Sequence, residues 1–98
     1  MSIKPLEGNH LFGRHSCPFC RRALNDLTRM GIEYTFHDVE TDRSIYNEMV
    51  QRIHAIKGEN SRVTVPQIWL KGEYIGGSDD LRAKFNINDD EDPPYCPI

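Results

Sequence analysis

Two cysteines three positions apart, Cys17 and Cys20, stand where a short apolar run, Leu11, Phe12 and Gly13, gives way to a helical pattern. A pair at that spacing on the first turn of a helix opens to a dithiol or closes to a small disulfide ring with little backbone movement. Reversible redox chemistry is therefore the expected use. Pro18 between them fits the first helical position, where its missing N–H costs nothing and its fixed φ suits the helix. Cys17 is then left at the helix entrance, facing unpaired backbone N–H groups and the positive end of the dipole, which stabilise a thiolate. Cys20 lies one turn in and has no such advantage. The expected roles are Cys17 as nucleophile and Cys20 as resolving thiol.

The rest of the chain has to supply a fold around that junction. Its 98 residues suffice for one domain. Three cysteines, two of them in one motif, do not form the even framework of a secreted disulfide scaffold. No stretch approaches a membrane span and the N-terminus lacks a secretory pattern, so the expected setting is the reducing cytoplasm, without membrane contact. The net charge is −3, but Asp89, Asp90, Glu91 and Asp92 near the end carry more than that, and the remainder is slightly basic. Arg14, Arg21 and Arg22 cluster around the motif, too few and without interleaved aromatics for nucleic acid. Arg21 and Arg22 are expected on a solvated helix face, whereas Arg14, three residues before the nucleophile, is placed to face an anion. A zinc site would need two more ligands, which the scattered histidines and Cys96 do not supply; no metal is expected.

Taken in order, residues 1–8 form an irregular lead-in, 9–86 the domain, and 87–98 an acidic tail expected to be flexible, with Cys96 as a bystander thiol. A strand is predicted over 9–13 and a helix from Pro18 to about Met30, stopped by Gly31. Alternation of Ile32, Tyr34 and Phe36 against Glu33, Thr35 and His37 predicts a strand over 32–39 beside the first. Asp42 or Thr41 caps a second helix with a stripe of Ile45, Met49, Ile53 and Ile56, ending at Gly58. Val63–Leu70 and Glu73–Ile75 read as a hairpin turning at Lys71 and Gly72. A third helix follows, capped by Ser78 or Asp79 and running through Leu81 to Phe85. Tyr34, Phe36, Trp69 and Phe85 are expected in or beside the core. This order, β-α-β-α-β-β-α, predicts a small α/β sandwich on a mixed sheet.

Three motifs then carry a resemblance. Cys17-Pro18-Phe19-Cys20, Thr64-Val65-Pro66, and Gly76-Gly77 followed by Asp79-Asp80, in this order and at these separations, resemble a dithiol glutaredoxin from about Leu11 to Phe85. Phe19 departs from the family's usual tyrosine, and the last helix is short. The resemblance implies the thioredoxin-like three-layer sandwich, a four-stranded mixed sheet flanked by helices. It implies a cis Val65–Pro66 bond, which sequence alone does not favour, and a backbone edge at Val65 that pairs with an extended peptide, glutathione. The glutathione site it implies comprises Arg14, Phe19, Thr64, Val65, Pro66, Gly77, Ser78, Asp79 and Asp80. The glycyl carboxylate lies at Arg14, with Arg62 a second candidate. The γ-glutamyl carboxylate lies on the N–H groups of Ser78 and Asp79, and its ammonium at Asp80.

Also implied are a monomeric glutathione-disulfide oxidoreductase with no tightly bound cofactor, a potential of about −200 to −230 mV, and disulfide-containing or glutathionylated proteins as substrates, ribonucleotide reductase among them. Two rivals stand beside it. A thioredoxin-like, reductase-dependent protein would not need Arg14 and Asp80. A glutathione-ligated iron–sulfur carrier is disfavoured by Pro18.

Overall fold

The computed structural model describes residues 6–86; the acidic tail and Cys96 lie outside the described residues. The elements are β1 (His10–Gly13), α1 (Pro18–Arg29), β2 (Thr35–Asp38), α2 (Arg43–Lys57), β3 (Gln67–Leu70), β4 (Glu73–Gly76) and α3 (Ser78–Phe85), in the predicted order. The sheet order is β2-β1-β3-β4, with β1 parallel to β2 and the other neighbours antiparallel. Alternation along the central strands divides the core. Leu11, Ile68 and Leu70 face α1 and α3 through Ala23, Leu27 and Leu81, while Phe12 and Trp69 face α2 through Met49 and Ile53. The result is three layers, with the redox helix α1 on one side and α2 on the other.

Local chemistry explains most element ends. Asp42 caps α2, its carboxylate accepting from the Ser44 N–H at 3.0 Å. The hairpin turns at Lys71 and Gly72, both at positive φ (52° and 81°), as a tight two-residue turn between twisted strands requires.

Several expectations need correction. Residues 32–34 are not in the strand. Gly31, at φ 73°, turns the chain, and the Ile32 N–H is used to close α1 on the Leu27 carbonyl at 3.0 Å. Ile32, Tyr34 and Phe36 nonetheless pack on the α1 side, as their alternation indicates. Likewise Val63–Pro66 precede β3, which starts only at Gln67. Ile56 is 50 % exposed. It stays in phase with the stripe, but a 15-residue helix of about 22 Å overruns four-residue strands of about 13 Å. Phe85 is also exposed, at the end of the eight-residue α3.

The inward position one turn before Phe85 belongs to Arg82, which meets Asp26 of α1 through two bonds, Nε to Oδ2 at 3.0 Å and Nη2 to Oδ1 at 3.1 Å. Both side chains are buried. Their mutual, two-pronged geometry is what makes burying opposite charges tolerable, and it ties the two helices that bear the site.

Candidate active site

Cys17 is the residue immediately before α1, with extended backbone (φ −93°, ψ 121°), and Pro18 occupies the first turn. No side chain caps this helix and its first turn holds no acidic residue, so its N–H groups face the Cys17 sulfur unopposed. Burial of Cys17 works against ionisation. The backbone N–H groups of Cys20 and Phe19, the Cys20 thiol and the Arg14 charge outweigh it and hold the thiol below its ordinary value.

Cys20 is fully buried one turn further in. Burial, and the neighbouring Cys17, push its thiol up to about 12. Both are free thiols here. The two groups have been driven apart in acidity, Cys17 towards the thiolate and Cys20 towards the thiol. Gly13, at the end of β1, is what admits Cys20: a Cβ there would lie 2.7 Å from its sulfur.

Across from Cys17, the chain enters β3 through a cis Val65–Pro66 bond, as the resemblance implies. The approach to it is held from behind. Buried Gln67 donates to the Thr64 carbonyl at 2.8 Å and accepts from the Tyr74 hydroxyl at 2.5 Å. Gln67 and Tyr74 carry no motif, and in the sequence Gln67 reads as an ordinary strand residue.

Two hollows flank the Thr64–Val65 segment. One, of about 190 Å³, is lined by Phe19, Pro66 and the start of α3 (Gly77, Ser78, Asp79, Asp80), together with Thr64 and Val65. These are eight of the nine residues assigned to glutathione. The ninth, Arg14, lies instead beside Cys17 in a neighbouring cavity of about 380 Å³ that shares Thr64 and Val65 with the first. Arg62 lines neither hollow.

The start of α3 differs from expectation in two ways. The residue before the helix is Gly77, not Ser78 or Asp79, and its N–H donates to the Asp80 carboxylate at 2.9 Å. Gly76, at φ 117°, leaves the room that this carboxylate occupies. Nor is Arg22 a solvated residue. Its Nε donates to the Ser78 hydroxyl at 2.7 Å, its Nη2 meets Asp79 at 2.5 Å, and its guanidinium lies 5.2 Å from the centre of the Phe19 ring. It thus ties the redox motif to the start of α3. His15 is exposed and rests against Phe36, with ring centres 4.4 Å apart.

A thiol of lowered pKa at a helix start, a thiol of raised pKa beneath it and a cis-proline edge opposite form a thiol–disulfide exchange site on a thioredoxin-like fold. The glutaredoxin family model matches residues 10–75. Glutaredoxin 3 of Escherichia coli strain K12 is 32 % identical over 73 residues, covering 74 % of this chain and 80 % of that protein. The dithiolic glutaredoxin 2-C-Grx1 of Trypanosoma brucei brucei superposes with a TM-score of 0.69 at 28 % identity, over 82 % of this chain and 78 % of that one. A buckwheat glutaredoxin–glutathione complex shares the fold, with a TM-score of 0.67 at 22 % identity over 80 % of this chain and 67 % of that one. The chain belongs to the glutaredoxin family, whose members are thiol oxidoreductases that work with glutathione.

Proposed function

We propose that this protein reduces protein disulfides and glutathione mixed disulfides through the Cys17/Cys20 dithiol, with glutathione as reductant. The observation that carries the reading is the opposed acidity of the two thiols beside a groove lined by eight of the nine residues assigned to glutathione. The Cys17 thiolate attacks one sulfur of the substrate disulfide, forming a Cys17–substrate bond and expelling the other sulfur as a thiolate, which takes a proton from water. The Cys20 thiol, once deprotonated, displaces the bound sulfur and closes the Cys17–Cys20 ring. Two glutathiones then reopen it, leaving oxidised glutathione. For glutathionylated substrates, a second glutathione resolves the Cys17–glutathione bond directly.

Glutathione lies extended along Val65, its γ-glutamyl carboxylate on the Ser78 and Asp79 N–H groups, its ammonium at Asp80 and its glycyl carboxylate at Arg14. Asp80 already accepts from the Gly77 N–H, and a carboxylate has acceptor capacity for both. The protein acts as a cytoplasmic monomer without a tightly bound cofactor, and ribonucleotide reductase is among the disulfide substrates it would serve.

The test is turnover of a glutathionylated peptide with glutathione, glutathione reductase and NADPH. Cys17→Ser should lose at least about a thousandfold in rate, while Cys20→Ser keeps this activity and loses only reduction of protein disulfides. A Cys17→Ser variant that still turned over would overturn the assignment.

A further inference from the structure

The two hollows beside Thr64 and Val65 differ in chemistry. The one at α3 sets Phe19, Val65 and Pro66 beside two carboxylates and a helix start. The one at α2 is twice as large, and Val39, Tyr46, Met49 and Val63 form an apolar part of its wall. Met49 is core, and Val39 and Val63 pack against that same core cluster, so the floor of this cavity is the interior of the protein. Arg14, Glu40, Thr64 and Cys17 supply the polar part.

Glutathione uses little of this space. In the orientation proposed above, on which this inference rests, the peptide runs from α3 past Cys17 toward α2 and ends with its glycyl carboxylate at Arg14. Glycine has no side chain, so the apolar wall of this cavity of about 380 Å³ beside Cys17 receives nothing from it. A volume of that size is within the range of small-ligand sites and accommodates a leucine or phenylalanine side chain. Chain direction then assigns each hollow. The residue before the substrate cysteine meets the one at α3, and the residue after it meets the one at α2.

We propose that the cavity formed by Val39, Tyr46, Met49 and Val63 binds the side chain of the residue that follows the substrate cysteine, and that the protein favours disulfides in which this residue is large and apolar. Arg14 then holds the carboxylate or carbonyl of that residue while its side chain is buried against Tyr46 and Val63.

The probes are mixed disulfides of 2-mercaptoethanol with γ-Glu-Cys-Gly and with γ-Glu-Cys-Leu. The Cys17 thiolate attacks the peptide sulfur, the bond to 2-mercaptoethanol breaks and its thiolate leaves. Glutathione then displaces the peptide from Cys17 as a glutathione–peptide disulfide. The leucyl probe should show a kcat/KM about tenfold above the glycyl probe, as partial burial of a leucine side chain predicts. This ratio should fall to about one in Tyr46→Ala and in Val63→Ser. Being taken within each variant, it does not depend on how much of that variant is folded. Equal rates, or a preference for the glycyl probe, would overturn the proposal, as would a preference that survives both substitutions. Failure of both probes would overturn the glutathione reading itself, and this inference with it.

Discussion

Two helices point their N-termini at the site, and they are finished in opposite ways. At α1 nothing caps the first turn and no acid stands in it, so the whole of its positive end acts on the Cys17 sulfur. At α3 the first turn carries Asp79 and Asp80, the first bound by Arg22 and the second by the Gly77 N–H. The first arrangement suits a single developing anion. The second sets a helix start beside two carboxylates, the pairing of charges that the proposed zwitterionic ligand requires. The same backbone device is thus finished differently in the two helices, and the acidic residues make the difference.

The contrast can be broken most severely beneath α1. Gly13→Ala would place a methyl group 2.7 Å from the Cys20 sulfur, and should cost about 1–3 kcal/mol in thermal or urea unfolding. It should also impair reduction of protein disulfides, which needs Cys20, more than reduction of glutathionylated peptides. Less severe is the loss of the tie between the helices. Arg22→Gln should leave Asp79 to repel the γ-glutamyl carboxylate, raising KM for glutathione up to about fivefold with little change in kcat. Added salt should shrink that difference. Smallest is the attempt to make α1 resemble α3. Phe19→Glu puts an acid into its first turn and should raise the Cys17 pKa, slowing its alkylation at neutral pH about two- to threefold.

How much of this was legible in the sequence follows from the range of the interactions. The element order and the position of Cys17 before Pro18 rest on periodicity and punctuation within a few residues, and both stand in the structure. The three motifs also lie together, eight of the nine residues assigned from them lining one groove and Arg14 the next. What was not legible depends on partners far away in the chain. Arg82 reads as a surface residue of a short helix until Asp26, 56 positions earlier, meets it in the core. Arg22 reads as a solvated arginine until α3 arrives beside it. The overhang of Ile56 depends on the length of strands it does not belong to. The cavity at α2 is likewise assembled from the chain after β2, α2 and the approach to β3, none of which carries a motif for it.

The central claim is that α1 splits two neighbouring thiols into a nucleophile and a reserve. It is tested most directly by the pH dependence of alkylation of the reduced protein, with the modified cysteine identified by mass spectrometry. Because the thiolate is the species that reacts, the Cys17 rate should rise with pH to a plateau whose midpoint lies below the ordinary thiol value of 9.0. Cys20 should remain unmodified throughout that range, its own thiol being pushed up to about 12. Equal modification of the two, a Cys17 midpoint at or above the ordinary value, or first reaction at Cys20 would contradict the account.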